Sequence, residues 1–179
     1  VMRARGYDVT TRVIVPGKCA DHEVDIVLKK DGRVIGAELK FHNQPGYKTD
    51  VKIALYVRAR FTDIEAIADR PDSMHINEGW LITNTKFTDN AISYAMCAGI
   101  HLLGWDFPKQ GNLSDMIRET GVYPVTVLTT LTGAEKARLL AAQMPLCSSV
   151  ADGDLLRRAG IPDKKIKDVI AESAKLCGI

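Results

Sequence analysis

No run of about 18 apolar residues occurs in the chain, and Val1-Met2-Arg3-Ala4-Arg5-Gly6 lacks the apolar stretch of a signal peptide. A spanning helix is excluded, and a soluble, cytoplasmic protein with no membrane partner is expected. The first residue is Val and not Met, so a leading segment is expected ahead of it. Cysteine is thin: Cys19, Cys97, Cys147 and Cys177 lie far apart with no C-x-x-C pair, which excludes a disulfide framework. Cys19 and His22 have C-x-x-H spacing, but no second pair completes a zinc site. An excess of either charge is also lacking. Lys plus Arg number 24 against 22 for Asp plus Glu, so composition by itself names no partner. No internal repeat or low-complexity tract is evident.

What is present is a 46% hydrophobic, 179-residue chain with its apolar residues spread throughout, enough for one sizeable core and a small appendage. Residues 7–15 are rich in Val, Ile and Thr and end at Pro16-Gly17, as a strand does. Residues 23–29 and 34–40 alternate on either side of Asp31-Gly32, the strongest short hairpin signal. A long amphipathic helix is predicted over 50–68, broken by Arg70-Pro71-Asp72-Ser73. A short buried strand follows at 80–83, then a helix capped by Thr88 and stopped by Gly99, then a strand over 100–105. A short helix is expected at 113–119. From Tyr123 the pattern turns all-helical: a Thr132/Glu135 capping box opens a helix through Ala142, and further helices are expected over 149–159 and 164–176. The expected domains are an α/β unit, 1–122, and a small helical C-terminal domain, 123–179.

The two-residue turn fixes the hairpin register. Val24, Ile26 and Leu28 fall opposite Leu39, Ala37 and Ile35 on an apolar face, while Asp25 falls opposite Glu38 on the other, solvent-facing side. Cross-strand neighbours are about 4.5–5.5 Å apart at Cβ, so both carboxylates reach a common ion. Lys40 is one pleat step from Glu38 on the same face. Two carboxylates with water suit magnesium, and a lysine beside them suits the handling of an attacking water or of transition-state charge. Phosphodiester hydrolysis fits those parts. Glu23 is expected to pair with Lys40 across the strands; a solvated hairpin face is the bland alternative for the whole set.

His22-Glu23-Val24-Asp25-Ile26-Val27, the hairpin, Gly36-Ala37-Glu38-Leu39-Lys40, the long helix, and the later Phe87-Thr88 and Gly99-Ile100 resemble the PD-(D/E)xK nuclease superfamily, in its Mrr-like restriction endonuclease branch. The resemblance runs from about Gly6 to Trp105. It implies a restriction-endonuclease-like fold, a mixed central sheet flanked by helices, and a DNA endonuclease dependent on Mg2+, with Mn2+ as a substitute. Asp25 and Glu38 would bind the ion with the backbone carbonyl of Leu39, and Lys40 would assist the water. Val24 stands where the superfamily pattern has Pro. The branch also places a helix with an acidic residue ahead of the first strand, a position before the start of this chain.

Candidate nucleic-acid contacts are His22, Lys48, Lys52 and Arg60, the last three on the long helix and its entry; an exposed charged helix face explains them equally well. Tyr47, Tyr56, Trp80 and Trp105 are expected in the core. Residues 155–166, with Gly160-Ile161-Pro162 between two helices, resemble a helix-hairpin-helix turn, in which backbone amides and Lys164, Lys165 and Lys167 would meet a phosphate. Pro162 has no amide proton to give, and a plain helical cap is the other reading. Double-strand cutting would favour a homodimer. Alternatives to a restriction-type nuclease are a junction-resolving or repair nuclease and a catalytically inactive DNA-binding module.

Overall fold

The computed structural model describes residues 1–44, 46–69 and 74–177. It is a mixed α/β structure in two units, one from Met2 to Met116 and the other from Ile117 onward. The expected breaker at 70–73 lies outside the described residues, as does Pro45. No helix among the described residues is long and apolar enough to cross a membrane.

The first unit is built on a five-stranded sheet. Strands β1 (Asp8–Pro16), β2 (Asp21–Lys30) and β3 (Arg33–Lys40) run antiparallel in sequence. Strands β5 (Glu78–Thr83) and β7 (Ile100–Leu103) then extend β3 in parallel, giving the order β1-β2-β3-β5-β7. The β2–β3 turn has φ of 50° at Asp31 and 76° at Gly32, the doubly left-handed turn that matches strand twist. Its register is the expected one from Lys30 opposite Arg33 to Ile26 opposite Ala37. A small parallel pair that periodicity did not reveal, β4 (Lys48–Thr49) with β6 (Lys86–Phe87), sits beside the sheet. Two residues per strand are too few to show an alternation.

Helix α1 (Val51–Glu65) is capped by the Asp50 side chain on the Lys52 amide. Helix α2 (Asp89–Ala98) starts on Thr88 and ends at Gly99 in the left-handed region, as its sequence predicts. Both pack on one sheet face, where Ala54, Val57, Phe61 and Ile64 of α1 meet Val27, Leu81, Ile100 and Leu102. Ala37, Ile82 and Leu103 cover the opposite face with Leu113 and Met116 of α3 (Leu113–Thr120). Gly36 and Gly79 let the Phe61 ring lie on the sheet, since a Cβ at Gly79 would stand 2.5 Å from Phe61 Cδ2.

This layering corrects the hairpin reading. Glu38 is not turned to solvent; it lies under α1, because β3 is an inner strand with a helix layer on each side. Asp25 does not stand opposite it as expected, its carboxylate meeting the Leu39 amide instead. Val24 also changes sides. The ladder skips the Arg12/Asp25 pair on the β1 flank and ends at Ile26 on the β3 flank, with Arg12 at φ 55°. Past this kink Val24 joins Val15 and Val27 in the α1 cluster, while Ile26 packs on the other face.

The second unit has its own core, in which Leu128, Leu139, Cys147, Leu156 and Val169 are completely buried. Helix α4 (Gly133–Ala141) opens with the expected capping box. The helix expected over 149–159 divides: a 3-10 turn at Cys147–Val150 precedes α5 (Gly153–Arg158), because Asp152 caps the amides of Asp154 and Leu155. α6 (Asp163–Cys177) closes the chain. A repeat hidden in the sequence is visible here. Pro124 and Leu146 form a bridge, Val125 N–H donates to Pro145 and Cys147 N–H to Tyr123, both at 2.8 Å. Each bridge strand then enters a 3-10 turn and a helix whose first residue is glycine, Gly133 or Gly153.

Two carboxylates pin this unit. Glu135 is drawn down to a pKa of about 2, chiefly by Lys165 and then by the Thr132 amide and hydroxyl. Burial opposes ionisation of Glu172, yet the hydroxyls and amides of Thr129 and Thr130 bring it to about 2 as well. A carboxylate whose folded pKa lies below its unfolded value adds stability above the unfolded pKa, lost as pH falls through the folded one. Thermal melts should therefore be flat above about pH 4.5 and fall steadily toward pH 2. Glu172→Gln should lower the midpoint at pH 7 and flatten that slope; an unchanged slope in the variant would contradict the assignment. In the first unit, Gly79→Ala should destabilise by about 1–3 kcal/mol in urea unfolding, through overpacking against Phe61.

Candidate functional site

Glu38 is the centre of the site. It follows the small residues Gly36 and Ala37 on β3 and is only 4% exposed, under α1. Its Oε1 accepts from Lys40 Nζ at 2.6 Å, and its Oε2 from Arg60 of α1. Arg60 also donates to the Glu23 backbone carbonyl at 3.0 Å and to the Tyr56 hydroxyl one helical turn back. Its Cζ sits 4.7 Å from the centre of the Tyr56 ring, and Lys40 Nζ 5.9 Å from the same ring. Arg60 Nε is buried with no hydrogen-bond partner. A charge this deeply buried requires neutralisation, and two cations provide it.

Asp25 arrives from the other side. At the kink in β2 its Oδ2 accepts the Leu39 amide at 2.7 Å, replacing the backbone carbonyl that a continued ladder would have offered. Asp25 is half-buried, and Leu39 is 42% exposed. Asp25 thus meets the Glu38-Leu39-Lys40 segment at the Leu39 amide, where β2 and β3 part, while Glu38 itself is held under α1 by Lys40 and Arg60. Among the described residues no group of three or more His, Cys, Asp and Glu could hold a metal ion. Any ion here would have two carboxylates at most.

The other expected residues divide. Glu23 pairs with Arg12 at 3.0 Å and not with Lys40, whose ammonium is turned to Glu38. His22 is held by Asp63, Nε2 to Oδ2 at 2.8 Å. That imidazole, with smaller help from the Cys19 thiol and the Cys19 and Ala20 amides against the cost of burial, sets Asp63 at about 2. Arg60 is committed to Glu38, while Lys48 and Lys52 remain exposed. In the second unit Lys164 is exposed, but Lys165 grips Glu135 at 2.8 Å. The amides of the Gly160-Ile161-Pro162 turn itself are not offered to a phosphate. Gly160 N–H donates to Arg157 and Ile161 N–H to Leu156, and Pro162 has none, so these residues close a helix C-terminus.

Two members of the site escaped sequence reasoning. Tyr56, expected in the core, is 48% exposed, and Arg60, expected on DNA, is bound to Glu38. One signal was available: Arg60 lies three residues after Val57 and four before Ile64, on the edge of the buried stripe, where a charge needs an internal partner.

An uncharacterized protein of Archaeoglobus fulgidus is 36% identical over 180 residues, covering 99% of this chain and 98% of its own length. The crystal structure of a protein of unknown function, AF1548, superposes with a TM-score of 0.72 at 36% identity, over 99% of this chain and 92% of that one. The family model described as AF1548-like, C-terminal, matches residues 123–177. The chain belongs to the AF1548-like family. That family membership carries the fold over both units, and the matched C-terminal model covers the helical unit with its hidden repeat.

Removing Arg60 tests the electrostatic account. Arg60→Met leaves Glu38 buried with Lys40 alone and should cost about 3–5 kcal/mol of stability in denaturant unfolding. Adding Glu38→Gln to that variant should recover part of the loss. Strict additivity of the two changes would show that the pair is not coupled.

Proposed function

We propose that the chain is a divalent-metal-dependent DNA endonuclease with a restriction-endonuclease-like core in its first unit. The observation that carries this reading is the meeting of Asp25, at a kink in one strand, with Glu38-Leu39-Lys40 at the end of the next. The resemblance of these segments to the PD-(D/E)xK superfamily supports it, as does the mixed sheet with parallel strands beyond β3.

The donor set fits a hard cation. Asp25 and Glu38 offer carboxylate oxygens and Leu39 a carbonyl, few enough ligands to suit Mg2+ or Mn2+, which retain water. When bound, such an ion supplies Lewis acidity and lowers the pKa of water. Lys40 Nζ is the group that would orient the attacking water or neutralise the phosphate. Arg60 balances Glu38 in the meantime, and once released it presents a planar donor fork to a phosphate oxygen. Lys48 and Lys52, exposed near the start of α1, supply backbone contacts to DNA. Cutting both strands of a duplex calls for two copies, hence a homodimer.

A second reading has its own support: both Glu38 oxygens already carry protein cations, which is how an inactive DNA-binding module would hold a vestigial site. Plasmid DNA with Mg2+ or Mn2+ separates the two. The nuclease should nick or linearise the plasmid. Asp25→Ala and Lys40→Ala should each lower the rate by roughly 100-fold or more while DNA binding persists. Cleavage by both variants at the wild-type rate would exclude this site, and binding without cleavage by the wild type in either metal would favour the inactive module.

A further inference from the structure

We propose that a cavity past the C-terminal ends of β3, β5 and β7 binds an unstacked nucleobase of single-stranded DNA. This rests on the nuclease reading and narrows its substrate to DNA with an unpaired nucleotide beside the cut. The crevice outside the carboxyl ends of parallel strands is where open α/β sheets hold ligands. Here the three strands end at Lys40, Thr83 and Leu103, and the loops beyond them border an open cavity of about 340 Å³ lined by His42, Tyr47, Asn84, Lys86 and Trp105, among others.

Its walls are aromatic. The His42 and Tyr47 rings are 4.0 Å apart at their centroids, tilted by 33°. Tyr47 and Trp105, both expected in the core, are 45% and 47% exposed, so aromatic surface beyond the part of Tyr47 that packs on His42 stays open at one spot. Planar π faces lining a cavity suit a flat heterocycle, and base stacking on aromatic side chains is the common device of single-strand binders.

The floor is fixed. His42 Nε2 lies 3.2 Å from Thr49 Oγ1, which donates to Thr83 Oγ1 at 3.2 Å, which donates to the Lys40 carbonyl at 2.8 Å. Asn84 brackets the His42 backbone, accepting from its amide at 2.8 Å and donating to its carbonyl at 2.9 Å. The Trp105 amide donates to the Thr85 carbonyl at 2.9 Å. The stacking surfaces are thus tied to the strand that carries Glu38 and Lys40. His42 is two residues past Lys40, within about 7 Å along the backbone, which is one nucleotide step. Lys48, next to Tyr47, is exposed, and Lys86 is paired with Asp106 at 2.7 Å at the rim.

The test titrates the full chain with oligo-dT, a blunt duplex of equal length and oligo-U, in EDTA, reading tryptophan fluorescence and anisotropy of labelled strands. Oligo-dT should quench the wild type more than duplex does. Trp105→Phe should keep the affinity and lose the quench, and Trp105→Ala and Tyr47→Ala should each weaken oligo-dT about 10-fold with duplex binding unchanged. Equal quenching by duplex, unaltered affinity in Trp105→Ala, or tighter binding of oligo-U would overturn the proposal. Cleavage with Mg2+ is scored separately. Wild-type quenching without cleavage of any DNA retains the pocket and removes the nuclease; cleavage of gapped and intact duplex at the same rate in wild type and Trp105→Ala does the reverse.

Discussion

A carboxylate buried under a helix with a cation on each oxygen organises the first unit. Glu38 cannot lie under α1 as a bare charge, so Lys40 from its own strand and Arg60 from the helix must both come to it. That requirement sets the rotation of α1 over the sheet. With Arg60 directed at Glu38, the next residue, Phe61, falls onto the glycines of β3 and β5, and Tyr56 is brought over the two cations. Packing and electrostatics select the same helix orientation.

The kink at Arg12 and Asp25 is the second constraint. A regular ladder would consume the Leu39 amide on a backbone carbonyl and leave Asp25 standing on the α1 face. Interrupting both flanks of β2 at one residue inserts the Asp25 carboxylate between the strands and turns Val24 into the α1 core. A non-glycine residue in the left-handed region is a local strain, held here by the surrounding sheet, and such strain gathers at working sites. The same sheet end carries the threonine chain from Lys40 to His42, so the carboxylate site and the aromatic cavity share one strand terminus.

The hairpin register, the caps at Thr88 and Thr132 and the stop at Gly99 were legible because each depends on neighbours within about four residues. The hairpin's solvent exposure was misjudged for the opposite reason: what covers β3 is α1, and no pattern inside the hairpin reports a helix packed from elsewhere. Hydrophobicity alone places Tyr47, Tyr56 and Trp105 in the core, whereas the fold leaves each about half exposed beside polar groups. The repeat in the helical unit went unseen because its two copies share a backbone path and a glycine start, with little side-chain identity to mark them.

Local chemistry, then, was enough to determine the strand and helix order, the hairpin register from Lys30 and Arg33 to Ile26 and Ala37, and the nearness of Lys40 to Glu38. Only the tertiary structure decided that Glu38 is buried, that Arg60 is its second counterion, that Glu23 turns away to Arg12, and that the loops past the three strand ends border an open aromatic cavity. The reason is physical. Register propagates through adjacent hydrogen bonds, but the burial of a charge and the choice of its partner depend on which distant element excludes water from it.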